Sequence, residues 1–222
     1  MSTILGVKPI IKLAHKHGTE PFCPRDEALI ALSGLAYFSA NELSLVNVRD
    51  LITERRGIVV DGYLPSELNS NGFSRYFFIG KNTYLRKVLE QHIQWLKDNN
   101  FSGLDRELYC GLNPDARLFV KDDGSNFEVN FKNRYEGDAI TQPLQMQRHF
   151  KKFLLGQEVS ITTLTDSFIV NFWSVKSLQG SAQAIRDLIE MTGLTADTLR
   201  RKCIRKQESI KDVLTNLYKT KG

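Results

Sequence analysis

Hydrophobic residues recur at three- and four-residue spacing along most of this chain, which is typical of helices with one buried face. This spacing predicts one helix that begins near Arg25 and four that cover residues 84–97, 145–155, 165–176 and 208–218. A further predicted helix ends at Gly193. Ser39 and Glu42 have the spacing of a capping box, because the serine can accept a hydrogen bond from the Glu42 amide and the glutamate can reach back to the serine amide. This motif predicts another helix, which extends to about Leu51.

Short runs of β-prone residues interrupt the helical pattern. One pair covers residues 57–62 and 75–79, and a second pair, residues 117–120 and 127–131, flanks the turn signal Asp123-Gly124. The first residues show no clear period, so residues 1–21 are predicted to form an arm or linker. The expected fold class is therefore α-rich α+β, mostly helical with a small antiparallel sheet.

The positive charge is concentrated at one end of the chain. The 222 residues carry a formal net charge of +5, and residues 200–222 alone contain eight Lys or Arg against two acids, Glu208 and Asp212. The rest of the chain is therefore close to neutral. A cationic end on a neutral body indicates a polyanionic partner, with nucleic acid favoured over a membrane surface.

The cysteines and the apolar runs exclude several classes of protein. Cys23, Cys110 and Cys203 are far apart and lack the spacing of a zinc site, so we expect neither a metal nor another cofactor. No apolar run approaches the length of a transmembrane helix. We expect a cytoplasmic protein with reduced thiols and no membrane segment.

The segment around Gly193 has the outline of a helix-turn-helix. Gly193 can end one helix, on which Ile185, Leu188 and Ile189 form the apolar face, and Thr195 can cap the next, with Asp197 in its first turn. That second helix would turn Leu199 and Ile204 inward and five cations outward: Arg200, Arg201, Lys202, Arg205 and Lys206. Four further cations are candidate phosphate contacts: Lys176, Arg148, Lys151 and Lys152. A basic helix face that is merely solvated is the alternative interpretation.

Several local motifs follow one another in a characteristic order. RDEALIAL at residues 25–32 precedes NELSL at residues 41–45, and Leu118-Phe119, Ser167-Phe168 and Thr192-Gly193 follow. Their order and spacing resemble the catalytic domain of the tyrosine recombinases, the phage integrase family. The resemblance covers residues 22–206 and leaves residues 207–222 as a C-terminal helix or tail.

The residues that the family uses for catalysis are absent from the matching positions. Family members cut DNA with a tyrosine, while two arginines, a lysine and histidines hold the phosphate and move protons. Five of these positions are occupied here by Ser39, Thr162, Thr165, Leu194 and Cys203, and no lysine lies between Asp61 and Ser74. Because charge builds up on the phosphate oxygens in the transition state, the resemblance implies a degenerate active site.

Three functions remain open on the sequence. The leading hypothesis is a DNA-binding protein of the recombinase fold without strand-cleavage activity, a regulator or accessory factor of a mobile element. The second is an active recombinase with a displaced nucleophile, either Tyr218 or Cys203, whose thiol pKa would be lowered by Arg200, Arg201 and Lys202. The third is a protein-interaction module with a basic face.

The C-terminal segment carries one apolar stripe. Ile210, Val213, Leu214 and Leu217 follow helical spacing and must be covered by another surface. The resemblance implies docking on a neighbouring subunit, which would make the protein a homo-oligomer. Packing against its own domain is the alternative.

Overall fold

The computed structural model describes residues 4–18, 23–55, 57–69, 72–81, 83–101, 103, 108–133 and 139–203, and more than half of these residues are helical. The helices are α1 (Val7–Gly18), α2 (Pro24–Ala36), α3 (Ala40–Leu45), α4 (Val48–Leu51), α5 (Tyr84–Asp98), α6 (Leu144–Phe153), α7 (Ile161–Lys176) and α8 (Ser181–Thr192). A further helix, α9, begins at residue 196 and is described to residue 203. Two antiparallel hairpins accompany them: β1 (Asp61–Leu64) with β2 (Arg75–Phe78), and β3 (Asn130–Asn133) with β4 (Ala139–Gln142). The predicted fold class is confirmed.

Helix α2 is the centre of the core. Its residues Leu29, Ile30 and Leu32 are fully buried, and the helix packs against α1, α5 and α7. His92 of α5 is also fully buried, with Nε2 2.9 Å from the Leu118 carbonyl oxygen. Burial lowers the pKa of His92 to about 4, so the ring stays neutral at pH 7. His92 is therefore a residue of the core.

Residues 7–18 are part of the domain and not an arm. Within the predicted arm, residues 7–18 form α1, and Ile10 and Ala14 are fully buried against the core. A side chain at Gly34 of α2 would meet Ile10 at 2.8 Å, so the glycine allows the two helices to approach closely. The prediction was wrong for residues 7–18 because the buried stripe of α1 is narrow and includes a histidine, His17.

The capping box is present, but the helix that follows it is shorter than predicted. The Ser39 amide donates to Glu42 Oε2 at 2.7 Å, and the Glu42 amide donates to Ser39 Oγ at 3.3 Å. The predicted helix to Leu51 is interrupted at Val46, which separates α3 from α4. Arg117 donates to the Leu45 carbonyl, and the Leu118 amide donates to the Val46 carbonyl at 3.0 Å. A distant segment therefore uses carbonyls that a continuous helix would need.

The first predicted hairpin exists with shifted ends, whereas the second is almost absent. Strand β1 begins at Asp61, later than the predicted run of residues 57–62. The predicted pairing of residues 117–120 with 127–131 is reduced to one bridge between Val120 and Asn126. The reason is that Arg117 and Leu118 bond to residues 45–47 instead. The hairpin β3–β4 lies further along the chain and was not predicted.

A second apolar cluster joins α7, α8 and α9. Its buried members are Phe168, Ile169, Ile185, Leu188, Leu199 and Cys203. Phe172 and Trp173 of α7 are only partly buried beside it. Helix α7 also packs against α2, so it connects this cluster with the main core.

Arg75 of β2 joins four parts of the fold. Its Nε donates to Glu42 Oε1 of α3 at 2.5 Å, and the two side chains are only 1% and 2% exposed. Its terminal nitrogens donate to the carbonyls of Met191, in α8, and Tyr37, which follows α2, each at 2.9 Å. The guanidinium also lies over the Phe38 ring, 5.1 Å from its centre. One side chain therefore holds the first hairpin against three helices.

We expect Arg75→Leu to lower the free energy of unfolding by about 3–5 kcal/mol, because it leaves the Glu42 carboxylate buried without its cation. Urea unfolding followed by circular dichroism measures this loss. The double variant Arg75→Leu/Glu42→Gln should recover part of it, since the buried charge is then removed.

The exposed pair Arg86–Glu90 of α5, with Nε and Oε1 3.0 Å apart, provides a matched control. Arg86→Leu should change the free energy of unfolding by no more than about 0.5 kcal/mol. Equal small losses for the Arg75 and Arg86 variants would contradict the central role of Arg75.

Candidate nucleic-acid interface

The turn between α8 and α9 has the predicted geometry. Gly193 ends α8 in the left-handed conformation, with φ 67° and ψ 10°, and its amide donates to the Ile189 carbonyl at 2.8 Å. Thr195 caps α9, since its Oγ1 accepts from the Thr198 amide at 3.4 Å. The turn is therefore fixed by local hydrogen bonds on both of its sides.

The buried faces of the two helices agree with the prediction except at one position. Ile185 and Leu188 of α8 and Leu199 of α9 are buried. Ile189 was predicted to lie on the same face, but it is 37% exposed. The contact surface of α8 is narrower than the apolar pattern suggested, because Ile185 and Leu188 already fill the second cluster. Ile204 lies outside the described residues.

The cations of α9 differ in their surroundings. Arg200 and Arg201 are exposed, and within the described residues each bonds only to Asp197 of the first turn, at 3.5 Å to the carboxylate and 3.3 Å to the carbonyl oxygen, respectively. Lys202 is partly buried and forms an ion pair with Asp166 of α7. Arg205 and Lys206 lie outside the described residues. Of the described cations of α9, Arg200 and Arg201 are therefore the ones that face solvent.

The other candidate cations are exposed but lie on other helices. Arg148, Lys151 and Lys152 project from α6, whose buried side carries Met146 and Phe150. Lys176 is exposed at the end of α7. Helix α6 packs against α3, whereas α9 belongs to the cluster of α7 and α8. The predicted phosphate contacts are thus divided between two groups of helices.

Four of the five residues predicted to occupy the family's catalytic positions have structural partners in this chain. Ser39 caps α3, and Thr165 donates to the carbonyls of Ile161 and Thr162, at 3.2 and 3.1 Å. Leu194 packs beside the second cluster, and Cys203 is buried in it. Thr162 is exposed in the first turn of α7. Except for Thr162, these side chains cap a helix, bond to the backbone or fill apolar space, and none of the five carries a positive charge.

The environment of Cys203 opposes its use as a nucleophile. The basic neighbours were expected to lower the pKa of the thiol, but burial raises this pKa to about 11. The physical reason is that Arg200 and Arg201 face solvent and Lys202 is paired with Asp166, while Cys203 is 3% exposed among apolar side chains. At neutral pH the thiol is therefore protonated.

Sequence reasoning did not identify Arg75 as a residue of this region. Its guanidinium contacts Glu42, which belongs to the family-like motif, and the Met191 carbonyl, two residues before Gly193. Because it makes four hydrogen bonds to protein atoms and is 1% exposed, it is not placed to bind a phosphate. Its position in a β-prone run gave no signal of these distant partners.

The outer face of the first hairpin is aromatic and acidic. Tyr63 donates to Glu190 Oε1 of α8 at 2.6 Å, and Tyr76 donates to Asp61 Oδ2 at 2.9 Å. The hydrogen bond to Glu190 raises the pKa of the Tyr63 hydroxyl. Carboxylates on this face repel phosphate, so the outer face of the first hairpin is unfavourable for a polyanion.

The described residues offer no candidate for a membrane-spanning helix or for a metal cluster. Among them, no helix is both long enough and apolar enough to cross a membrane. In the same part of the chain, no three His, Cys, Asp or Glu side chains come together to hold a metal ion.

The fold is similar to that of one solved recombinase structure. The crystal structure of XerA recombinase superimposes with a TM-score of 0.52 and 15% sequence identity, over 97% of this chain and 65% of that one. The chain thus spans about 65% of the length of that protein. No family model and no curated protein sequence matches this chain. The geometry of its helices and hairpins nevertheless gives this protein a tyrosine-recombinase-like fold.

Proposed function

We propose that this protein binds duplex DNA through α9 and does not cleave it. The observation that carries the proposal is the exposure of Arg200 and Arg201 on a helix whose start is fixed by Gly193 and Thr195. Such a helix presents cations at a defined angle, which suits contacts with a phosphate backbone. Arg148, Lys151, Lys152 and Lys176 would add contacts from α6 and α7.

The proposed lack of cleavage rests on the side chains at the positions that would have to stabilise the phosphate or attack it. Phosphoryl transfer requires cations that stabilise charge on the phosphate oxygens, and Ser39 and Thr165 supply none. Cys203 is protonated and buried, which disfavours it as a substitute for the tyrosine. A protein of this fold that binds but does not cut would act as a regulator or accessory factor of a mobile element.

Two further parts of the proposal concern assembly and location. The apolar stripe from Ile210 to Leu217 lies outside the described residues and would dock on a neighbouring subunit, so we propose a homo-oligomer. A cytoplasmic location agrees with three cysteines that form no disulfide.

We expect the quadruple variant Arg200→Ala/Arg201→Ala/Arg205→Ala/Lys206→Ala to bind duplex DNA more weakly than the natural chain. Each lost phosphate contact should reduce the slope of log affinity against log salt by roughly 0.9, because fewer counterions are released. Fluorescence anisotropy with labelled duplex at several salt concentrations measures both quantities.

A matched control compares Arg200→Ala/Arg201→Ala with Lys87→Ala/Lys97→Ala, which removes two exposed cations from α5. The α5 variant should retain nearly the natural affinity and slope. If the quadruple variant also retains them, α9 is not the binding surface, and a protein-interaction module becomes the better explanation.

We expect no covalent protein–DNA product from a nicked suicide substrate at neutral pH. The reason is that a protonated buried thiol and the missing arginines leave no activated nucleophile beside a phosphate clamp. Denaturing electrophoresis detects such a product. A covalent band that disappears in Tyr218→Phe or Cys203→Ser would show an active recombinase with a displaced nucleophile.

A chain that ends at Gln207 should remain folded but form a smaller species, because it lacks the apolar stripe that would cover a neighbour. Burial of four such side chains contributes on the order of several kcal/mol, enough to decide an assembly. Light scattering and thermal unfolding measure the mass and stability. A truncated chain that unfolds, or one of unchanged mass, would assign the stripe to its own core.

A further inference from the structure

Helix α1 has a basic face that points away from the core. Lys8, Lys12, His15 and Lys16 are exposed, and the helix contains no acidic residue. At about 100° per residue, these four side chains fall within roughly 100° of the helix circumference. The buried residues Ile10, Ala14 and His17 lie on the opposite side. The exposed face is therefore a continuous cationic stripe about 12 Å long between the first and last lysine.

The described acid that contacts this stripe is already engaged. Glu27 of α2 lies 3.6 Å from His15 Nδ1, but it is 4% exposed and accepts a 2.5 Å hydrogen bond from the Tyr84 hydroxyl. Among the described residues, Lys8 and Lys12 form no ion pair within 4 Å with a described acid. The charge of these two lysines is therefore not neutralised within the described part of the fold.

The stripe is connected to α9 through one stretch of α7. The Leu5 amide, just before α1, donates to Ser167 Oγ at 2.9 Å, and the Asn171 side chain donates to the Leu5 carbonyl at 2.9 Å. Asp166, which directly precedes Ser167 in α7, forms the ion pair with Lys202 of α9. The start of α1 and the basic helix α9 are thus anchored on consecutive residues of the same helix.

We propose that Lys8, Lys12 and Lys16 form a second contact surface for the phosphate backbone of duplex DNA. This inference rests on the proposed function, since it assigns a further surface to the same partner. The spacing of the lysines matches a polyanion better than a single small anion, because three cations over about 12 Å can each meet a different phosphate. Because α1 packs on the core, the backbone that carries these lysines is fixed before binding.

The test replaces Lys8, Lys12 and Lys16 with glutamine in the full-length chain. We expect the affinity for a labelled duplex at 100 mM salt to fall by roughly tenfold or more. The slope of log affinity against log salt should become flatter by roughly two to three units. The matched control is Lys81→Gln/Lys87→Gln/Lys97→Gln, which removes the same charge from exposed residues around α5. It should bind nearly as the natural chain does.

A charge-preserving variant separates lost contacts from lost structure. Lys8→Arg/Lys12→Arg/Lys16→Arg should retain affinity and slope, and the glutamine variant should keep the natural melting temperature because the lysines are exposed. Equal weakening by the α1 and control variants would show an effect of net charge alone and would overturn the proposal.

The failure of this inference can be distinguished from the failure of the proposed function. If the Arg200→Ala/Arg201→Ala variant loses affinity while the α1 glutamine variant does not, DNA binding stands and the second surface is wrong. If the natural chain shows no salt-dependent binding to duplex DNA, both proposals are wrong.

Discussion

The buried ion pair between Arg75 and Glu42 is the constraint on which the candidate site depends. Removing both charges from water is costly, and the cost is offset only when every partner is in place. Here Glu42 also accepts from the Ser39 amide, while Arg75 bonds to Tyr37 and Met191. The start of α3, the first hairpin and the last turn of α8 must therefore assemble together.

Local sequence signals predicted the features that depend on neighbouring residues. The capping box at Ser39 and the turn at Gly193 each need only atoms within four residues. The features that sequence reasoning missed depend on distant partners, such as Arg75 with Glu42, 33 residues apart, and Arg117 with Leu45, 72 residues apart. Periodicity contains no information about such pairs, which explains the missed break at Val46 and the unrecognised role of Arg75.

The candidate site was predictable in its outline but not in its electrostatics. The sequence correctly placed a turn and a second helix after Gly193, and it identified Arg200 and Arg201 on the outer side. It could not show that Lys202 is paired with Asp166, or that burial raises the pKa of the Cys203 thiol. Both properties arise from the packing of α9 on α7, which no local pattern specifies.

Two hydrogen bonds hold the end of α8. The Gly193 amide donates to the Ile189 carbonyl, and Arg75 donates to the Met191 carbonyl. The pair of Lys202 and Asp166 then fixes α9 to α7. The angle between α8 and α9 is consequently set during folding, and little backbone entropy remains to be lost on association. If the proposed function is right, any mismatch in shape between this rigid surface and a duplex has to be taken up by the DNA. Base steps that deform easily would then be selected even where no side chain touches them.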